Sequence, residues 1–131
     1  MLISPQFGSK SIVISGDTGP SDNLVRFAKD ADVLIHEAYL PGTFRNRHTA
    51  GAKPANAQTG GSVEPGQVSE ILSRYHTTAE QAGEIAARAN VKHLVLTHVI
   101  PPNRSEEMLR LASQKFKGEV TVGTDLLHLV P

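Results

Sequence analysis

The stretch Ile14-Ser-Gly-Asp-Thr-Gly-Pro20, ISGDTGP, decides the reading of this chain. It follows the apolar run SIVI at residues 11–14 and breaks it with Gly16, Asp17, Gly19 and Pro20. Asp and Gly are ordinary turn residues, so taken alone the stretch is a turn that ends a strand. What gives the turn meaning is the company it keeps along the chain. Runs rich in β-branched residues and leucine recur at Ser11–Ser15, Asp32–Ile35, His93–Leu96 and Glu119–Val122, and LLHLV from Leu126 offers a fifth strand. Helical spacing separates them. Ser21 or Asp22 can cap a helix that sets Leu24, Phe27 and Ala28 on one face. In HTTAEQAGEIAARAN, residues 76–90, Thr77 to Glu80 fits a capping box, Ala82, Ile85, Ala86 and Ala89 form an apolar stripe, and Asn90 can close the helix. Ser105 opens another such segment, with Met108, Leu111 and Ala112 facing inward after the stop at Pro101-Pro102. A short helix is expected over 67–75 from Val68, Ile71 and Leu72.

Strands alternating with helices imply parallel βαβ units. The fold class is α/β, with a mainly parallel sheet. Residues 40–65 are crowded with Gly, Pro, Asn and Thr and carry no period, which predicts a long flexible loop or insert within a single domain spanning 1–131.

Composition narrows the function. Lys plus Arg and Asp plus Glu number 13 each, so no net field favours a polyanion, and binding to nucleic acid is not supported by charge. Cysteine is absent, which removes disulfides, thiolate metal sites and a cysteine nucleophile together. The apolar runs are far shorter than the roughly 20 residues that cross a bilayer. No membrane association and a cytoplasmic location are expected.

In an open parallel sheet, ligands gather beyond the carboxyl ends of the strands. The first strand ends at Asp17, the second at His36-Glu37 in LIHEA, and the third at His98 in LVLTH, while His76 stands just before a helix on that same edge. Asp17, Glu37, His76 and His98 are therefore expected to share one cleft. His93 and His128 lie at other levels and read as structural, and His48 falls in the long loop. No Gly-x-Ser-x-Gly elbow or phosphate-binding Gly-x-x-x-x-Gly-Lys loop occurs. A carboxylate beside imidazoles suits zinc, manganese or iron, and metal-assisted hydrolysis is the matching reaction class.

SGDTGP, DVLIHEAY, HTTAEQAGEIA, HLVLTHVIPP and GEVTVGTDLLHL, taken in that order, resemble the C-terminal half of metallo-β-lactamase-fold hydrolases, most closely the branch of ribonuclease Z and arylsulfatase-like enzymes. The resemblance spans nearly the whole chain apart from 40–65. It implies half of an αββα sandwich, with helices on one face of the sheet. It further implies Asp17 and His98 as metal ligands, His76 as a catalytic group at the scissile phosphate, and Glu37 as the carboxylate that orients His76. The family's His-x-His-x-Asp-His cluster occurs nowhere in the 131 residues. The expectation is a partial hydrolase whose parent acts on a phosphoester, phosphodiester or sulfate ester, with a small-molecule ester favoured by the neutral charge. Zinc binding by the isolated chain should then be weak or absent. The alternative is a non-catalytic half-fold acting as a homodimer, packed through an exposed apolar sheet face, with at most a residual metal site.

Overall fold

The computed structural model describes residues 6–42 and 65–129. Along the chain run β1 (Gln6–Phe7), β2 (Lys10–Ile14), α1 (Asp22–Phe27), β3 (Val33–Tyr39), α2 (Pro65–Tyr75), α3 (Ala79–Ala89), β4 (His93–Ile100), α4 (Ser105–Lys115) and β5 (Glu119–Val122). Most of the loop expected over 40–65, His48 included, lies outside the described residues.

The strands form one sheet in the order β1-β2-β3-β4-β5, with β2 to β5 parallel. Parallel neighbours taken in chain order need crossovers of one hand, and that places the connecting helices on a common face. The core lies under that face. Val13, Leu34, Leu94 and Leu96 point up from the strands into Leu24 of α1 and Ala28 at its C-cap, Ala82, Ile85, Ala86 and Ala89 of α3, and Met108 and Ala112 of α4. The opposite face carries Ile12, Ile14, Val33, Ile35 and Val95, none of which joins the helix-side core. The expected open face is closed at its centre, where Val33 is 2% and Val95 3% exposed, while Ile12, Ile14 and Ile35 are half-buried. Val13 and Leu34 belong to the helix side. No helix among the described residues is long and apolar enough to cross a membrane.

Local chemistry explains the helix ends. Ser21 caps α1 by accepting from the Asn23 N–H at 3.2 Å. The capping box of α3 sits one residue later than expected. Thr78 accepts from the Gln81 N–H, and the Gln81 side chain accepts from the Thr78 N–H at 3.0 Å. Asn90 ends α3 in the left-handed conformation that asparagine tolerates, with φ +54°.

Three expectations need correction. Residues 126–129 form no strand, because Leu126 is 99% exposed with a left-handed backbone. An antiparallel edge strand, β1, precedes the first expected one and turns back through Gly8 at φ +63°. Both β3 and β4 run on past Ile35 and Leu96, so Glu37 and His98 sit within strands rather than beyond them.

At the opposite edge of the sheet, Asp32 holds the strand starts together. Its carboxylate accepts from Lys92 Nζ at 2.7 Å and from the Ser11 N–H at 2.9 Å. Those two bonds, with the charges of Lys92 and Lys10, hold Asp32 well below the usual carboxylate range.

Candidate functional site

The structure brings Asp17, Glu37, His76 and His98 together at the carboxyl edge of β2, β3 and β4. One ligand atom each from Asp17, Glu37 and His98 lie within 4.8 Å of one another. The ring centroids of His76 and His98 are 6.2 Å apart.

Asp17 follows Gly16, whose φ of +63° lets the chain turn off the end of β2. Its Oδ1 accepts from His98 Nδ1–H at 2.8 Å. A carboxylate can only accept, so this bond fixes the proton on Nδ1 and leaves His98 Nε2 with a free lone pair.

His98 reaches Asp17 through a bulge. Glu37 pairs with Thr97 and Tyr39 with Ile100, so three steps along β4 match two along β3. The extra residue lets His98 adopt φ +44°, a left-handed conformation that strains a non-glycine residue. His98→Gly is therefore expected to be more stable than His98→Ala by about 1 kcal/mol. Both variants lose the Asp17 bond, so urea unfolding of the pair isolates the backbone term, and equal midpoints would show that the bulge is unstrained.

Glu37 is 1% exposed, and both its oxygens are engaged. Oε1 accepts from the Thr18 N–H at 2.8 Å, and Oε2 accepts from His76 Nδ1–H at 2.7 Å. His76 is thereby held as the tautomer whose Nε2 faces away from Glu37. Thr77, fully buried, donates its hydroxyl to the Thr18 carbonyl at 2.6 Å. Thr18, Glu37, His76 and Thr77 thus close a hydrogen-bonded ring that ties three separate segments into one unit. The three residues of His76-Thr-Thr78 divide the work: one faces the site, one locks the Asp17 loop, and one caps α3. Backbone bonding supports them, with Tyr39 N–H donating to the Thr77 carbonyl at 3.0 Å. Sequence reasoning missed Thr77 as a tie. Thr97, next to His98, is exposed and stands outside the ring.

His36 points the other way, into the core. It is fully buried, its Nδ1–H donates to the Glu37 carbonyl at 2.8 Å, and its Nε2 has no partner among the described residues. Burial pushes its imidazole down to about 4 from 6.5. The unfolded chain takes up this proton more readily than the folded one, so the stability from neutral His36 is complete above pH 6.5 and is lost as pH falls toward 4. Each pH unit in that interval costs about 1.4 kcal/mol. Asp32 contributes only below that window, since its depressed carboxyl is protonated last. Urea midpoints should fall between pH 6.5 and 4 in the native chain and stay level over the same range in His36→Asn, which keeps a donor at the Nδ1 position. Parallel curves would remove His36 as the cause.

The donor set fits a cation in part. Asp17 and His98 are half-exposed and offer a carboxylate oxygen and an imidazole nitrogen. Each Glu37 oxygen already accepts one hydrogen bond, from the Thr18 N–H and from His76, so Asp17 and His98 are the more open donors of the three. His93 bonds Thr121 Oγ1 at 2.8 Å, far from this edge, as expected of a structural residue. His128 is exposed. A cleft of about 510 Å³ between Leu40–Gly42 and the start of α4 is larger than the cavity at the site, but no histidine among the described residues lines it.

Comparison with known proteins identifies the fold. The crystal structure of a Bacillus subtilis metallo-β-lactamase fold protein superposes with a TM-score of 0.63 at 22% identity, over 94% of this chain and 41% of that one. The short form of human tRNase Z superposes with a TM-score of 0.54 at 24% identity, over 95% of this chain and 34% of that one. The fold is therefore that of the metallo-β-lactamase proteins. In sequence, the chain is 34% identical over 119 residues to a ribonuclease Z of Mycobacterium tuberculosis, and 35% identical over 114 residues to one of Bacillus licheniformis. It is homologous to the ribonuclease Z proteins over 88% and 86% of its own length in these two alignments, while spanning 37% and 29% of theirs. No family model matches.

Proposed function

We propose that this chain supplies part of a metal-dependent phosphodiesterase centre that acts on RNA. The observation that carries the reading is the pairing of two units on one edge: the half-exposed Asp17–His98 pair and the His76–Glu37 pair anchored in the protein, with imidazoles 6.2 Å apart. Asp17 and His98 would hold the cation, zinc or manganese by the chemistry of the donors. Bound there, it supplies Lewis acidity toward the phosphoryl oxygens. His76 presents Nε2 to the scissile phosphate and, as the imidazolium with a proton on each nitrogen, donates from Nε2–H to a phosphoryl or leaving oxygen. Glu37 holds the tautomer and stabilises the imidazolium when His76 is charged. The names of the relatives favour a phosphodiester over the sulfate ester or small-molecule ester expected from neutral charge.

Two free donors hold a catalytic cation weakly, because such sites take about three protein ligands. This reading requires further ligands from outside the described residues. The test is hydrolysis of bis(4-nitrophenyl) phosphate. This chain alone is expected to show no turnover. A complex that completes the ligand set should turn over in an EDTA-sensitive way, with His76→Ala lowering kcat about a hundredfold. EDTA-insensitive turnover by this chain alone would overturn the proposal.

A second reading, a non-catalytic homodimer packed through the face opposite the helices, is favoured by the half-buried Ile12, Ile14 and Ile35 on that face. Sedimentation at micromolar concentration separates the two: a dimer broken by Ile35→Glu supports this reading, and a monomer removes it.

A further inference from the structure

The cavity beside the site has a wall that the hydrolytic chemistry does not use. Asp17, Thr18, Gly19, Arg74, Tyr75 and His76 line a cavity of about 410 Å³, a size within the rough 300–1,000 Å³ range of small-ligand sites. Tyr75, the last residue of α2, is 65% exposed there, whereas the chain's other tyrosine, Tyr39, is buried. The position of Tyr75 is fixed from both sides. The His76 N–H donates to the Leu72 carbonyl at 2.8 Å and carries the helical turn past Tyr75. On the other side, the Asp17 loop presses against the end of α2 at Gly19, where a Cβ would stand 2.5 Å from the Arg74 carbonyl oxygen. The aromatic ring is thus presented from a rigid backbone, one residue from His76. Arg74 is exposed and, among the described residues, its side chain bonds only Glu70 Oε1, at 2.7 Å. An exposed pair of this kind is weak enough to exchange for a phosphate oxygen, which a guanidinium binds well.

We propose that Tyr75 and Arg74 form a nucleotide subsite, in which Tyr75 stacks on a nucleobase flanking the scissile phosphodiester and Arg74 pairs with the adjacent phosphate. The assignment rests on the phosphodiesterase reading and deepens it. It also reconciles an RNA substrate with a net charge of zero, because stacking on an aromatic ring needs no basic field. Salt dependence should be shallow accordingly. One guanidinium–phosphate contact gives a slope of roughly −0.7 in log affinity against log salt for a single strand.

The experiment titrates the intact chain with a single-stranded RNA trinucleotide and with an abasic ribose-phosphate oligomer of equal length, by calorimetry. The chain has no tryptophan, so tyrosine emission is directly visible, and stacking on the exposed Tyr75 should quench it. The RNA is expected to bind about tenfold more tightly than the abasic oligomer. Tyr75→Ala should abolish that ratio and Tyr75→Phe should keep it. Arg74→Gln should weaken both ligands alike and flatten the salt dependence. Equal affinity for the two oligomers, an unchanged ratio in Tyr75→Ala, or no RNA binding at all would each overturn the subsite. The metal-dependent chemistry is judged separately, by EDTA and His76→Ala on turnover. Base-insensitive binding alongside such turnover would remove the subsite and leave the phosphodiesterase reading standing.

Discussion

Glu37→Gln is expected to leave the fold nearly as stable as before and to lower phosphodiester turnover in a completed centre by about 10- to 100-fold. Glutamine keeps an oxygen for the Thr18 N–H. Its amide nitrogen, however, meets His76 Nδ1 as a donor where the carboxylate accepted. The imidazole must then accept at Nδ1 and carry its proton on Nε2, and no negative charge remains to stabilise the imidazolium. Loss of a partner that orients and stabilises the imidazolium commonly costs 10- to 100-fold. Glu37→Ala should differ in kind. It opens a void at a position that is 1% exposed, leaves the Thr18 N–H without its partner and frees His76, so unfolding should become easier by about 3 kcal/mol. Parallel unfolding and turnover measurements on the two variants check this. Equal loss of stability in both would show that the buried negative charge matters for folding rather than for orienting His76.

Gly83→Ala should be the most damaging single methyl in the helix layer. Glycine inside a helix is normally worse than alanine by about 1 kcal/mol, so by propensity alone the change would stabilise α3. At this position a Cβ would stand 2.5 Å from the Ala112 carbonyl oxygen and 3.1 Å from its Cα, both backbone atoms of α4. Neither can move without the whole helix. Separating α3 from α4 loosens Ile85, Ala86, Met108 and Ala112, which share the core with Leu94 and Leu96. The net cost should be about 2 kcal/mol, a fall in Tm of about 5–10 °C. A rise in Tm would show that the two helices can part freely.

The mainly parallel sheet and the convergence of Asp17, Glu37, His76 and His98 on one edge were legible because strand ends in a parallel sheet point one way, and polar residues follow the apolar runs in ISGDTGP, LIHEA and LVLTH. What was hidden depends on choices the local sequence leaves open. Thr77-x-x-Glu80 and Thr78-x-x-Gln81 both fit a capping box. The second is used because the Thr77 hydroxyl is committed to the Thr18 carbonyl, a contact 59 residues away. Strands β3 and β4 seemed to end at Ile35 and Leu96 because polar residues follow, yet Glu37 is buried by partners from other segments. The bulge that aims His98 carries no glycine to announce it, since the strain is borne by histidine itself. LLHLV shows the opposite failure. Its apolar residues suit a strand, but no described neighbour pairs with it.

The claim that Asp17 and His98 belong to a metal centre is tested most directly by nuclear magnetic resonance of the six histidines during zinc addition. The His98 ring signals should shift first, with Nε2 as the responding nitrogen, while His36, fully buried in the core, and His93, bonded to Thr121, stay unmoved. Asp17→Ala should move the His98 response to at least tenfold higher zinc. A His98 ring that ignores zinc, or responds equally well without the Asp17 carboxylate, would contradict the metal centre.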